Sequence, residues 1–196
     1  MPISEIYNKM LNDGANDAER VGWGSKESQE KRFNVLMEIG DLDKKSILDV
    51  GCGLGACFDF LIKRYPNLVY TGLDMNFNMI KNAQKKYPGI EFLNIDISSN
   101  IKALNNRKFD YVFLSGALNL SEDGHEKNIK KIITVIYDLA NKGVAINFLS
   151  IFSDYYSPGE YYANPEFILK MAFSITSKVV LRHDYMNHDF TIYLYK

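Results

Sequence analysis

Short apolar runs, rich in β-branched residues, alternate with amphipathic stretches along most of the chain. This alternation is typical of a parallel sheet covered by helices, because strands buried on both faces are apolar throughout. Strands are predicted at residues 46–50, 69–73, 90–95, 110–115, 143–150, 178–185 and 189–196. Too few residues separate the last two strands for a crossover helix, so we expect them to form an antiparallel hairpin. The pattern predicts an α/β fold with a mostly parallel seven-stranded sheet and an antiparallel last strand.

Helices are predicted where apolar residues recur at helical spacing, at residues 26–39, 58–65 and 165–174. The stretch 129–139 has the most regular apolar face. Asp123 and Glu126 form a predicted capping pair at the start of that helix, and Gly143 is its predicted stop. These helices would supply the layers that cover the sheet.

Length and composition set the class of protein. A chain of 196 residues with 46% hydrophobic residues can bury one sizeable core, and no repeat or linker divides it. We therefore expect a single domain over residues 1–196, with a lid and helix at 1–40 and a core at 45–196. The 23 Lys and Arg against 24 Asp and Glu create no global positive field for nucleic acid or an anionic membrane. Without a signal-peptide pattern or a membrane-length apolar run, the expected location is the cytoplasm.

The stretch "ILDVGCGLGA" at residues 47–56 joins the first strand to a helix through three glycines. In an open parallel sheet, ligands bind beyond the carboxyl ends of the strands, where the strand order reverses. Gly51 and Gly53 allow a tight turn against which a ligand can lie, and Gly55 allows the helix to pack closely. Three glycines after an Asp exceed what a simple turn needs, which indicates a nucleotide-type cofactor.

The glycines alone leave the cofactor open, because "GCGLGA" also fits the dinucleotide pattern if Ala56 is its last position. Asp49 favours S-adenosylmethionine, since a carboxylate near the strand end would repel a pyrophosphate and attract an α-ammonium group. Asp74 favours neither cofactor, because both carry ribose hydroxyls that could donate to it. Asp96 and Ile97 favour S-adenosylmethionine, since a carboxylate can accept from the adenine amino group and a backbone amide can donate to the ring.

At these residues the sequence resembles the class I S-adenosylmethionine-dependent methyltransferases, as a small single-domain member of bacterial type. "ILDVGCGLG" resembles their first motif, "YTGLDMNFNMI" their acidic ribose motif, "EFLNIDI" their adenine motif and "FDYVFLSGALN" their fourth-strand motif, in the family's order. The resemblance spans roughly residues 45–196. It implies a doubly wound, Rossmann-like methyltransferase fold and a cytosolic enzyme that uses S-adenosyl-L-methionine and releases S-adenosyl-L-homocysteine.

The resemblance also implies roles for single residues. The methionine end would contact Asp49, Gly51 and Gly53, and the ribose would contact Asp74. The adenine faces would contact Met75 and Ile97, and the adenine amino group would donate to Asp96. The methyl-facing side would be lined by Ser115 and Gly116. Cys52 and Gly55 complete the glycine turn, and Trp23 is predicted to close over the cofactor from the N-terminal segment. Cys52 and Cys57 lack a matching Cys/His cluster, so no metal is predicted.

The predicted acceptor is a small molecule. Ser115 and Gly116 follow the fourth strand, where nucleic-acid amino methyltransferases carry an Asn-Pro-Pro-Tyr type of motif, and the chain has no room for a separate recognition domain. The long connections at 12–25 and 151–163 are predicted lids. We expect Trp23 and five aromatic residues of the second connection to form an apolar pocket over the cofactor; these are Phe152, Tyr155, Tyr156, Tyr161 and Tyr162.

Methyl transfer is a direct displacement, so the sequence indicates no obligatory catalytic residue. His183 and Tyr185 are the candidate general bases, because "RHDY" places several polar groups at one strand end. A noncatalytic S-adenosylmethionine-binding regulator fits the same motifs. A nicotinamide-dependent oxidoreductase fits the glycine turn but is disfavoured by Asp49, Asp96 and the terminal hairpin.

Overall fold

The computed structural model describes residues 3–120 and 124–196. Its strands are β1 (Ser46–Val50), β2 (Val69–Asp74), β3 (Glu91–Asn94), β4 (Phe109–Leu114), β5 (Ala140–Leu149), β6 (Val179–Met186) and β7 (Asp189–Tyr195). The α-helices in the described part of the chain are α1 (Ile3–Asp13), α2 (Lys26–Met37), α3 (Ala56–Ile62), α4 (Phe77–Lys86), α5 (His125–Leu139) and α6 (Pro165–Phe173). None of these helices is long and apolar enough to cross a membrane.

All seven strands form one sheet, in the order β3-β2-β1-β4-β5-β7-β6. The pairs among β1 to β5 are parallel, and β7 lies antiparallel between β5 and β6. Met186 pairs with Asp189 across a tight turn. The predicted sheet and its terminal hairpin are thus confirmed. Because the strand order reverses between β1 and β4, the crevice that binds ligands in such folds lies at the carboxyl ends of these two strands.

Helices cover both faces of the sheet, because alternate residues along each strand point to opposite sides. Leu48 and Val112 belong to the core beneath α5, together with Ile133. Ile47 and Phe113 face the other way, toward the core beneath α2 and α3. The apolar runs of the central strands are therefore buried on both faces, which makes the fold doubly wound.

The end of α5 differs from the prediction. The helix ends at Leu139, and Ala140 is already extended and pairs with Phe109. Gly143 lies inside β5, so its assignment as a helix stop is wrong. A Cβ at Gly143 would lie 3.0 Å from the carbonyl oxygen of Leu194, which indicates that this glycine permits close strand packing. The predicted capping residue Asp123 lies outside the described residues.

The N-terminal segment contains the helix α1, which the sequence analysis did not predict. Tyr7 and Leu11 pack against Leu54 and Met79, next to the glycine turn that follows β1. A short 3-10 turn at Glu19–Val21 then leads toward α2. Part of the predicted long connection at 12–25 is therefore structured, and the segment lies over the carboxyl ends of β1 and β2.

Candidate functional site

A cavity of about 460 Å³ lies at the crevice between the carboxyl ends of β1 and β4. The glycine turn after β1, the ends of β2 and β3 and the first residues after β4 form its wall, and α1 and α2 close it from the N-terminal side. Every predicted cofactor-binding residue except Gly55 lines this cavity. The four sequence motifs therefore come together at one place.

The turn after β1 requires glycine at two positions. Gly51 has a φ of 76°, and a Cβ there would lie 2.3 Å from the Cβ of Ala117. Gly55 has a φ of 79°, and a Cβ there would lie 2.9 Å from the rings of Phe92 and Tyr87. Gly51 thus permits the close approach of Ala117, in the segment after β4, while Gly55 permits the packing of α3 against its neighbours.

Asp49 carries a buried carboxyl group in the cavity wall, with 3% of its surface exposed. Burial raises its pKa to about 7, although the hydroxyl of Tyr70, which donates to Oδ2 at 2.5 Å, lowers it. The nearby charge of Asp74 raises the pKa further. A buried carboxylate without a cationic partner among the described residues suits a ligand that brings a positive charge.

Asp74 links the end of β2 to the glycine turn. Its Oδ2 accepts from the amide of Gly53 at 2.9 Å, and its Oδ1 accepts from the amide of Asn76 at 2.8 Å. Burial raises the pKa of Asp74. Burial and the charge of Asp74 also raise the pKa of the Tyr7 hydroxyl on α1. Each carboxylate oxygen has a second lone pair, so Asp74 can also accept from a ligand.

Asp96 and Ile97 form the wall beyond β3. Oδ1 of Asp96 accepts from the amide and hydroxyl of Ser98 at 2.8 and 2.7 Å, and Oδ2 accepts from the hydroxyl of Ser99 at 2.7 Å. Burial alone would raise the pKa of Asp96, but these hydrogen bonds lower it. Ile97 is buried at the cavity, whereas Met75 lies at its rim with 49% of its surface exposed.

Ser115 follows β4 and connects the cavity to the terminal hairpin. Its hydroxyl donates to Oδ1 of Asn147 at 2.7 Å, and Nδ2 of Asn147 donates to the hydroxyl of Thr191 at 2.6 Å. Asn147 and Thr191 are buried on β5 and β7. The sequence analysis missed both residues, although each is a polar residue inside an otherwise apolar strand.

Trp23 and Gln29 bring the N-terminal segment to the cavity wall. Trp23 lies against Gly116, where a Cβ would come within 2.6 Å of the indole ring. The guanidinium of Arg32 lies 4.5 Å from the ring centroid of Trp23. Gln29 lines the cavity with 5% of its surface exposed. The sequence analysis missed Gln29 because a polar residue near a helix start carries no local sign of burial.

Comparison with known proteins identifies the family. Residues 47–142 match the family model described as a methyltransferase domain. Rv1506c of Mycobacterium tuberculosis, a protein whose name places it among methyltransferases, is 30% identical over 165 residues, which is 81% of this chain and 97% of that protein. This chain belongs to the class I S-adenosylmethionine-dependent methyltransferases. The prediction made from the motifs is therefore confirmed, and these matches favour neither the oxidoreductase nor the noncatalytic regulator.

Two further proteins resemble this methyltransferase, one in part of its sequence and one in its fold. The malonyl-acyl-carrier-protein O-methyltransferase of Acetivibrio thermocellus is 35% identical over 100 residues, so the match spans about a third of that enzyme. The magnesium protoporphyrin IX methyltransferase of Synechocystis, solved with S-adenosylmethionine and with S-adenosylhomocysteine, shares the fold. Its structure with S-adenosylmethionine bound superposes on this chain with a TM-score of 0.67 at 15% identity. The superposition covers 99% of this chain and 91% of the Synechocystis chain. S-adenosylmethionine is the methyl donor that the family uses.

The two candidate bases of this methyltransferase lie away from the cavity wall. Neither His183 nor Tyr185 lines the cavity. Nε2 of His183 lies 2.7 Å from the hydroxyl of Ser150, and its ring stacks on Phe190. Burial raises the pKa of Tyr185, whose hydroxyl lies 2.8 Å from that of Thr191. Proton removal from an acceptor by either residue therefore finds no support in this geometry.

The aromatic connection at 151–163 does not form the predicted apolar pocket. None of its five aromatic residues lines the cavity, and Glu160 is the residue of this connection that does. Phe152 and Tyr155 are 65% and 72% exposed, while the ring of Tyr161 packs at 4.4 Å from that of His125. The loop folds on itself instead, since the hydroxyl of Tyr162 donates to Glu160 at 2.6 Å.

Proposed function

We propose that this methyltransferase methylates a small-molecule acceptor inside the cavity between β1 and β4. The observation that carries the proposal is the closure of this cavity by the N-terminal segment, through Tyr7, Trp23 and Gln29. An acceptor must share about 460 Å³ with the cofactor, which suits a small compound better than a polymer. The Synechocystis relative, named for a porphyrin acceptor, is in keeping with this proposal.

The cofactor roles are part of the same proposal. The residues present fit S-adenosylmethionine, because Asp49 is a buried carboxylate that a cation would stabilise and both Asp49 and Gly51 line the cavity. The proposed contacts are Asp49, Gly51, Cys52 and Gly53 for the methionine end, Asp74 for the ribose, Met75, Asp96 and Ile97 for the adenine, and Ser115, Gly116 and Trp23 for the methyl-facing side. Gly55 acts indirectly, through the packing of α3.

The residues of the chain contribute mainly binding, alignment and exclusion of water. S-adenosylmethionine supplies an electrophilic methyl group on a sulfonium. Trp23, Gln29 and Ser115 line the cavity, and so do Tyr7 and Met10 of α1. A direct displacement gains most from holding the reactants in line within a dry site. The N-terminal segment and the core therefore act together, as one functional domain over residues 1–196.

Methyl-labelled S-adenosylmethionine tests this function. We would incubate the purified protein with a bacterial extract and then separate small molecules, protein and nucleic acid. The proposal predicts label in the small-molecule fraction, and it predicts much less label when Asp74→Ala replaces the wild type. Label confined to the protein or nucleic-acid fraction would contradict a small-molecule acceptor.

A further inference from the structure

The charges in the cavity wall are all of one sign. Among the residues that the structure describes, four carboxyl groups line the cavity, those of Asp49, Asp74, Asp96 and Glu160. Among residues 3–120 and 124–196, no Lys or Arg side chain does so. Three of the four carboxylates fall within the proposed cofactor contacts. Glu160, which comes from the connection after β5, has no such role.

Arg32 lies one helical turn from Gln29, but its charge is engaged elsewhere. It is 3% exposed and forms an ion pair with Asp189, which is 1% exposed. Its Nη1 also donates to the carbonyl oxygen and hydroxyl of Ser28, at 3.1 and 2.5 Å. A buried, neutralised guanidinium outside the cavity wall offers little attraction to an anionic acceptor.

Two polar groups of the cavity wall, those of Gln29 and Ser115, can accept a hydrogen bond from a ligand. Gln29 is 5% exposed, lines the cavity, and makes no side-chain hydrogen bond to any residue that the structure describes. Its amide oxygen can therefore accept from a ligand, and its amide NH2 group can donate to one. The hydroxyl hydrogen of Ser115 is used on Asn147, so Ser115 offers only lone pairs to the cavity.

We infer that the methyl acceptor is an alcohol, a phenol or an amine, and not a carboxylate. This inference rests on the proposed small-molecule function and names its substrate class. An O–H or N–H group can donate to Gln29 or Ser115, whereas a carboxylate would meet other carboxyl groups and no Lys or Arg side chain among the described residues of the wall. The acceptor would therefore differ from that of the malonyl-acyl-carrier-protein relative, whose name indicates an acidic substrate.

The reaction balances for this class. A lone pair on the acceptor oxygen or nitrogen forms the bond to the methyl carbon. The carbon–sulfur bond breaks with its electron pair on sulfur, which yields S-adenosylhomocysteine. The acceptor then loses its proton to water.

Trp23 provides a direct probe, because it is the one tryptophan of the chain and lines the cavity. We would saturate the full chain with S-adenosylhomocysteine and titrate benzyl alcohol, benzylamine and benzoate while recording tryptophan fluorescence. The inference predicts that the alcohol and the amine bind about ten-fold more tightly than benzoate, or better. Equal affinity, a preference for benzoate, or no response to any of the three would overturn it.

Charge substitutions at Gln29 sharpen the test. Gln29→Lys is expected to raise benzoate affinity by about ten-fold, and Gln29→Glu to lower it while favouring benzylamine. Asn34→Lys adds the same charge at an exposed position of α2 and is expected to change none of the three affinities. Identical shifts in Gln29→Lys and Asn34→Lys would contradict the inference. Calorimetric titration of the same samples with S-adenosylhomocysteine separates the two proposals. If the wild type does not bind S-adenosylhomocysteine, the result counts against the proposed function itself.

Discussion

Asp49 ionises near neutral pH because the fold buries its carboxyl group, which raises its pKa to about 7. In the unfolded chain an aspartate has a pKa of about 3.9. At a pH between these two pKa values, Asp49 therefore keeps its proton in the folded protein but has lost it in the unfolded chain. The contribution of Asp49 to stability is full below about pH 4 and is lost as the pH rises through about 7.

A cationic ligand favours the ionised form of Asp49 and so opposes the effect of burial on the pKa of its carboxyl group. We expect the affinity for S-adenosylmethionine to rise by about ten-fold between about pH 5.5 and about pH 7, since the ligand's ammonium group favours the ionised carboxylate. Asp49→Asn keeps an oxygen for Tyr70 but cannot ionise, and its affinity should change little over this range. Calorimetric titration at several pH values measures the difference. Parallel pH profiles for wild type and variant would rule out this role.

The residues that the motifs identify and those that they miss differ in a physical way. Asp74 and Asp96 follow strand ends in sequence, so their place at the cavity follows from the order of the strands. Gln29, Tyr7 and Glu160 reach the cavity through the tertiary packing of α1, α2 and the connection after β5, which no local pattern encodes.

At the scale of elements, α1 covers the cofactor end of the cavity through a small number of contacts. Oδ1 of Asn8 accepts from the side-chain amides of Asn76 and Asn78, both at 3.0 Å. Tyr7 and Leu11 add apolar contacts beneath the helix. Because α1 forms part of the cavity wall, exchange of the cofactor would require these contacts to open.

Removal of the Asn8 side chain should speed this opening. We expect Asn8→Ala to increase the release rate of S-adenosylhomocysteine by about 3- to 10-fold, the equivalent of one or two hydrogen bonds. Stopped-flow recording of Trp23 fluorescence gives the rate. Asn34→Ala, which removes an exposed amide from α2, is the matched control. Equal release rates in the two variants would show that α1 does not limit exchange.

The elements themselves follow closely from the sequence where burial dictates the pattern. All seven strands lie within a few residues of their predicted positions, because most of them are apolar runs bounded by polar residues. The prediction that Gly143 stops α5 is wrong because the chain passes from helix to strand without a loop. The helix α1 was missed although Ile3, Tyr7, Met10 and Leu11 recur at helical spacing.

At the scale of the whole molecule, a buried ion pair joins the two ends of the chain. Arg32 on α2 pairs with Asp189 at the start of β7, and both residues are almost fully buried. The hydroxyl of Tyr193 on β7 also donates to the carbonyl oxygen of Val35, at 2.7 Å. These contacts fix α2, and with it Gln29, against the terminal hairpin.

Loss of one partner should therefore destabilise the entire fold. Asp189→Ala leaves the Arg32 charge buried without its carboxylate, and we expect the free energy of unfolding to fall by about 3–5 kcal/mol. Glu38→Ala, which breaks the exposed pair between Glu38 and Arg182, should cost less than about 1 kcal/mol. Urea unfolding measures both values. Similar losses in the two variants would contradict the special importance of the buried pair.

The central claim is that the cavity over the glycine turn binds S-adenosylmethionine through Asp74 and its neighbours. Calorimetric titration of the wild type with S-adenosylmethionine, S-adenosylhomocysteine and NAD tests it most directly, with Asp74→Ala as the site variant and Asp138→Ala as an exposed control. The account predicts micromolar affinity for the first two ligands, none for NAD, and a loss of about ten-fold or more in Asp74→Ala alone. Binding of NAD, or unchanged affinity in Asp74→Ala, would contradict it.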